Sequence, residues 1–403
     1  TKGAAFAGIL NAMGYELQTV GNAISLPYGP QALAGMAERA SFPLLAANLR
    51  DEQGPVVAGV QEYAITSLGS GRLLGILGLT APWGGIYEMF GLRLPDFVDV
   101  ARHKIAEMRQ YGAAPIVVLS HLGLEDDRRL AEALPEIDLI LGGHSHSRLD
   151  RGEERAGVLI AHAGEYARAL GRVDLEVDPV TGKVLSRSAQ VLDVPESEEP
   201  DPEVLAAIEA ASEETRDAMA RVVGALQEEL AVDHFAECGI GNLAADALRA
   251  RMGAEAALVA SGQFHAGLPA GEVTLGDLDR ACFSSANPGV TSVRGDQIRL
   301  ALERGLDDDL AQATASGFRG TPVGRPQISG LRVRYAPGAA PGSRVKEVWI
   351  NGEPLEASRT YLLAHTDAEI SPNIGYLELE EHQIPRFEVP TILREVIADY
   401  LEL

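Results

Sequence analysis

The chain has 403 residues, more than one ordinary core holds, so at ~100–200 residues per domain two or three domains are expected. Hydrophobic residues make up 46% and charged residues 23%, which excludes global disorder. Acidic residues outnumber basic ones by 58 to 34, and the net charge of −24 repels phosphate backbones, so no nucleic-acid partner is expected. An acidic enzyme of small anions stays open, because a bound metal inverts the sign locally. The two cysteines, Cys238 and Cys282, make no disulfide framework and no thiolate zinc knuckle, and read as free buried thiols. The longest apolar runs, such as Ile116 to Leu119 and Ile137 to Leu141, fall far below the ~18 residues of a membrane span. The opening Thr1-Lys2-Gly3 has no initiator Met, and the expectation is a processed or trimmed start.

Taken in chain order, the first 200 residues alternate short apolar runs with helical patterns. Gly8 to Ala12 leads toward a strand near Leu17–Val20, and Gln31–Ala40 is Ala-rich and helical. Strands are expected at Pro43–Ala47, Val56–Gly59 and Leu73–Leu79. Phe97, Val100, Ala101, Ile105 and Met108 repeat as one buried face of a helix from Phe97 to Tyr111. Pro115–Ser120 is a near-continuous β-branched run, the mark of a strand buried on both faces. A helix at Asp126–Leu134, then strands at Ile137–Leu141, Val158–His162 and Gly171–Val177, complete an α/β layered domain over 1–200. The acidic, Pro-rich segment 194–202 reads as a boundary, and a connecting helix is expected over 201–223. A second domain of new composition occupies 224–403. Its expected elements are helices at Asn242–Arg251 and Arg294–Glu303, and strands at Ala256–Ala260, Leu331–Tyr335 and Val345–Ile350.

The sharpest chemical signal is Ser120-His121-Leu122-Gly123, directly after one buried strand. Gly142-Gly143-His144-Ser145-His146 follows the next. Two strand ends thus deliver imidazoles to one sheet edge, where open α/β sheets bind ligands. Neutral imidazoles grouped in this way suit Zn, Mn or Fe. Asn22 ends an earlier strand, where it reads as an oxygen ligand, a phosphate contact or, taken alone, a loop Asn in a turn. His162 falls near the same edge in order. Arg128-Arg129 reads as an ion-paired helix face, and Asp307-Asp308-Asp309 as a solvated loop.

The ordered segments Leu10-Asn11-Ala12-Met13-Gly14-Tyr15, Val20-Gly21-Asn22, Phe42 to Asn48, Leu119 to Gly123 and Asp138 to His146 resemble the 5′-nucleotidase family of dinuclear metallophosphoesterases. Gly241-Asn242-Leu243, Leu268-Pro269-Ala270-Gly271, Thr274 to Leu278 and Ser329 to Val333 resemble that family's C-terminal substrate domain. The resemblance implies a four-layered αββα metallophosphoesterase domain, a connecting helix and an α+β C-terminal domain that binds nucleotides. It also implies export from the cytoplasm. This chain departs from the family pattern at several positions. The family's catalytic domain opens with an Asp-x-His strand and then a metal-bridging Gly-Asp pair, and this chain is expected to start after both, so it reads as N-terminally truncated relative to the family. The family's Gly-Asn-His-Glu-Phe-Asp appears as Gly21-Asn22-Ala23-Ile24-Ser25-Leu26, with Ala23 in place of the catalytic His and Leu26 in place of the Asp that orients it. The substrate loop Asn-x-Gly-Gly-x-Arg reads Ala260 to His265, so His265 replaces the phosphate-gripping Arg. Of the stacking aromatics, Phe283 persists, and the second segment reads Asp367-Ala368…Pro372-Asn373-Ile374-Gly375-Tyr376.

By this reading Asn22, His121, His144 and His146 hold one divalent ion, Zn or Mn. A dinuclear pair is not expected, because two cations ~3.5–4 Å apart need a bridging anion. Phe283, His265 and Tyr376 are the substrate-binding candidates, and the partner is a nucleotide or small phosphoester. No catalytic residue is assigned and no protein partner is named. Two functions stay open: a binding relative with impaired hydrolysis, and an active metal-dependent phosphohydrolase with a rearranged site. Ala23 separates them.

Overall fold

In the computed structural model, residues 1–22, 28–82, 84–195, 197–314, 318, 320–371 and 374–403 are described; Ala23, Leu26, Pro372 and Asn373 lie outside them. The chain divides into two units, Thr1–Glu214 and Thr215–Leu403. The first holds β1 (Gln18–Thr19), β2 (Leu44–Leu45), β3 (Arg50–Asp51), β4 (Val60–Gln61), β5 (Tyr63–Ser67), β6 (Leu73–Thr80) and β7 (Leu92–Arg93). After these come β8 (Ala113–His121), β9 (Leu139–Gly142), β10 (Glu153–Arg155), β11 (Val158–His162), β12 (Ala169–Val177) and β13 (Val184–Asp193).

The β-branched run that ends in His121 becomes β8, the middle of a six-stranded sheet ordered β10-β11-β9-β8-β6-β5. β6, β8, β9 and β11 run parallel, with antiparallel β5 and β10 at the edges. One face packs Leu77, Leu79, Ile116 and Val118 against Phe97, Ala101, Ile105 and Met108 of the helix Phe97–Gln110 and Leu130 of the helix Leu124–Ala133. Burying each large apolar side chain contributes about 1.5–3 kcal/mol. Asp96 caps the first of these helices by accepting from the amides of Val98 and Asp99. The opposite face meets the β12–β13 hairpin, where Val117, Leu139 and Leu159 pack on Val173, Leu175 and Ala189. It also meets β2 at Gly78, where an added Cβ would sit 2.3 Å from that of Leu45. β2 belongs to the small parallel sheet β1-β2-β4. The helices Ala4–Ala12 and Pro30–Arg39 cover that sheet through Ala7, Leu10, Leu33 and Met36. The layers run helix, sheet, sheet, helix, in agreement with the αββα expectation.

The second unit holds β14 (Val222–Leu226), β15 (Ala256–Ala260), β16 (Gly271–Thr274), β17 (Pro288–Arg294), β18 (Pro326–Ser329), β19 (Leu331–Tyr335), β20 (Val345–Ile350), β21 (Glu353–Pro354), β22 (Thr360–Thr366) and β23 (Arg386–Phe387). Its main sheet is ordered β18-β15-β22-β17-β23, with β15 and β22 parallel. The helices Gly239–Met252 and Leu393–Leu401 cover one face. Ile298, Ala301 and Leu302 of the helix Gly295–Gly305, with Val345, Val348 and Ile350 of β20, cover the other. Cys238 and Cys282 are buried and free, and burial pushes the Cys282 thiol up to about 12.

Several elements differ from the sequence expectation: the strand expected at Val56–Gly59 is a turn with an isolated bridge at Val56, and β4 follows it at Val60–Gln61. Ala4–Ala12 is helical, and β5 and β13 were not marked as strands. β13 lies at a solvated surface, with Leu185 57% and Leu192 43% exposed, so its hydrophobic alternation is weak. The helix Pro202–Met219 has no buried residue; Leu205, Ile208 and Met219 of its apolar stripe are all exposed.

Candidate functional sites at two strand-end edges

In the first unit, β8 and β9 are parallel neighbours in a register that sets Ser120 beside Gly142. Parallel pairing therefore carries His121 and His144 to the same edge, as the spacing of the two motifs implies. Asn22 meets them there. Its Oδ1 lies 2.7 Å from His121 Nε2 and 3.1 Å from His144 Nδ1, and the two imidazole rings are 5.0 Å apart. Burial, reinforced by His144 and His146, lowers His121 to about 4. Burial and His146 also lower His144. Both rings are therefore neutral at pH 7, the form that ligates metals. His146 stands beside this group with its Nδ1 2.6 Å from Glu165 Oε2. His144, His146, Tyr166 and Ala167 all have positive φ, a concentration of backbone strain on the two loops at this edge.

Beneath the edge is a group that sequence reasoning missed. Asp127, fully buried, accepts from the Ser120 hydroxyl and lies 2.8 Å from His162 Nε2. His162 thus turns to Asp127 rather than to Asn22. The signal was present: Asp127, Leu130 and Leu134 share the i, i+3, i+7 spacing of a buried helix face. Arg128 is ion-paired with Glu125 and Glu153, and Arg129 with Asp96 and Asp126.

In the second unit the corresponding edge lies at the C-terminal ends of β15 and β22, with the start of β17 beside them. His265 is exposed, and its ring rests on half-buried Phe283 at 3.8 Å between centroids. Tyr376 is 0% exposed and its hydroxyl donates to the Gly324 carbonyl, so it belongs to the core and not to this surface. Ile374 is also buried. The missed residue here is Glu369, fully buried. Its carboxylate accepts from the Ala260 amide (2.8 Å), Gln263 Nε2 (2.7 Å), and the amide and hydroxyl of Thr366 (both 2.6 Å). Next to it, withdrawal from water and the Glu369 charge push the Asp367 carboxyl up to about 7. Burial pulls His365 down to about 4. Asp307 caps the helix Asp308–Gln312 and pairs with Arg344, a structural role for the acidic triplet.

The comparisons with known proteins agree with this architecture. The family described as 5′-nucleotidase, C-terminal domain, matches residues 220–376. Over 99% of its length the chain is 30% identical to the uncharacterized metallophosphoesterase YunD of Bacillus subtilis (strain 168), covering 86% of that protein. The chain belongs to the 5′-nucleotidase family of metallophosphoesterases. The crystal structure of a 5′-nucleotidase precursor from Thermus thermophilus is 25% identical with a TM-score of 0.63, covering all of this chain and 83% of that one. A putative 5′-nucleotidase from Staphylococcus aureus shares the fold at 18% identity, with a TM-score of 0.73 and coverage of 99% and 82%. The family is metal-dependent. Among the described residues, no three His, Cys, Asp or Glu side chains are grouped to hold an ion, and no helix is long and apolar enough to cross a membrane. Neutral imidazoles and an amide oxygen are donor types that transition metals accept.

Proposed function

We propose that this chain binds a nucleotide or other small phosphoester with the help of one divalent ion, Zn or Mn, and that its phosphohydrolase step is impaired. One observation carries the reading: Asn22 Oδ1 is shared between His121 and His144, and among the described residues no carboxylate or thiolate joins them in a metal-holding group. A neutral set of this kind can hold one cation, but it offers no anion to offset a second. His121, His144 and Asn22 are the proposed ligands. His146, the fourth side chain of the sequence reading, turns its Nδ1 to Glu165 and is not grouped with His121 and His144. A bound ion supplies polarisation of a phosphoryl oxygen. In the second unit, His265 and Phe283 are the proposed ligand contacts, and Tyr376 acts only by holding the Gly324 turn. An exported location belongs to the same reading, on the resemblance alone.

Elemental mass spectrometry of the purified chain after incubation with Zn or Mn, paired with a 5′-AMP hydrolysis assay, tests the proposal. One ion per chain, with AMP bound and little phosphate released, is expected. Two ions with rapid release overturn it in favour of an active hydrolase. That second reading is favoured by the 30% identity to a relative named as a metallophosphoesterase.

A further inference from the structure

Asp127 is a carboxylate with no access to solvent, at the start of the helix Leu124–Ala133. Burying a carboxylate is costly unless donors compensate it. Its two side-chain donors come from two different strands: Ser120 at the end of β8 and His162 at the end of β11. The Ser120 oxygen also accepts from the Leu122 amide at 3.1 Å, so the hydroxyl holds the backbone on both sides of His121. The intervening strand end is held by shape. A Cβ added to Gly142 would fall 2.0 Å from His162 Nε2 and 2.4 Å from Asp127 Oδ2, so β9 lies directly against the pair, two residues before His144. Beyond it, the His162 carbonyl accepts from the Leu149 amide at 3.0 Å, and the Gly164 amide donates to the Ser147 carbonyl at 2.9 Å. The loop that carries His144 and His146 is thereby fastened to β11. The connectivity also excludes a nucleophile triad: the hydroxyl is bonded to the carboxylate rather than to the imidazole, and all three groups are buried.

We propose that Asp127, with His162 and Ser120, is the positioning element of the first unit's site, a buried carboxylate that sets the two imidazole-bearing strand ends so that His121 and His144 face Asn22. The inference rests on the proposed metal-assisted reading for its purpose, but the geometry of the strand ends can be tested apart from it. Two side-chain donors make the network sensitive to single substitutions. His162→Ala removes one donor and opens a space. His162→Gln keeps an N–H that can reach the carboxylate.

The experiment compares the wild-type chain, His162→Ala, His162→Gln and Asp127→Asn in two measurements. The first is Mn2+ affinity by titration calorimetry, with the metal alone as the probe. The second is metal-free amide exchange of segments 120–124 and 142–149, with β6 as the internal reference. His162→Ala and Asp127→Asn are expected to weaken Mn2+ binding roughly 10–100-fold, the usual effect of losing a partner behind a ligand. They are also expected to speed exchange in both segments at least tenfold while β6 is unchanged, and His162→Gln should restore both readouts toward wild type. Exchange unchanged in both segments overturns the inference whatever the metal arm gives. Faster exchange with wild-type Mn2+ affinity also overturns it, because the network would then be structural only. If the wild-type chain binds no Mn2+, the metal reading of the site fails, and the exchange arm alone decides whether the network sets the strand ends. Should any variant fail to fold, Ser120→Ala, the smallest change, replaces it in both measurements.

Discussion

A buried carboxylate underlies each strand-end cluster, and the two are held differently. Asp127 takes its side-chain hydrogen bonds from a hydroxyl 7 residues before it, at the end of β8, and an imidazole 35 residues after it, at the end of β11. Glu369 takes four, two of them from the backbone amides of Ala260 and Thr366. Backbone donors are fixed by the sheet itself and survive almost any substitution, whereas side-chain donors are lost with one residue. Glu369 is therefore part of what makes the second unit fold, while Asp127 adjusts where two loops end up in a first unit that has its own apolar core.

The largest expected difference follows directly. Glu369→Ala orphans several buried donors and should cost on the order of 3–5 kcal/mol, seen as a lower urea midpoint for the second unit in pulse proteolysis. A loss below about 1 kcal/mol would erase the distinction between the two carboxylates.

Acid should separate the units next. His121 is pulled to about 4 by burial, below the ordinary value near 6.5 that the unfolded chain recovers. Between those values the unfolded chain binds the extra proton, so the first unit loses stability as pH falls from about 6.5 to about 4. In the second unit His365 acts in the same direction, with its neutral ring held between the Thr291 hydroxyl and the Thr366 carbonyl. Asp367 acts oppositely: its carboxyl, raised to about 7, keeps a proton that the unfolded chain releases near 4, so its contribution is lost as pH rises between them. The expected result is a sloping profile for the first unit and a flatter one for the second. Asp367→Asn should steepen the slope in the second unit, where buried Glu369, also raised by burial, still opposes His365, and equal slopes before that substitution would contradict the assignment.

Gly142→Ala comes third. The added methyl meets His162 and Asp127, and overpacking of this kind costs about 1–3 kcal/mol, read in the first unit alone. Tyr376→Phe removes one buried hydrogen bond and should cost about 1 kcal/mol in the second unit with AMP binding unchanged; a change in AMP affinity would return Tyr376 to the ligand surface. Arg39→Ala breaks an exposed pair with Glu214 and should leave the urea midpoint of the first unit where it is, because water and salt screen such a pair.

The layers of the fold were legible because buried strands such as Ile116–Leu119 and the helical face Phe97, Ala101, Ile105 and Met108 announce themselves by period. The meeting of His121 with His144 was legible too, since each follows its strand directly. The partners of these imidazoles were not. Asn22 reaches His144 across 122 positions, and Asp127 reaches His162 across 35, separations that no local pattern encodes. Tyr376 was misleading because motif position says nothing about depth: Ile374 and Leu377 beside it are core residues, and they carry the ring inward.

The helix Pro202–Met219 has a consequence of its own. It spans the boundary between the two units, and none of its residues is buried. Opening it exposes no apolar core, so its local unfolding costs less than that of any helix packed on a sheet. It is the segment where a protease at low dose is expected to cut first, releasing two fragments that each carry a whole core.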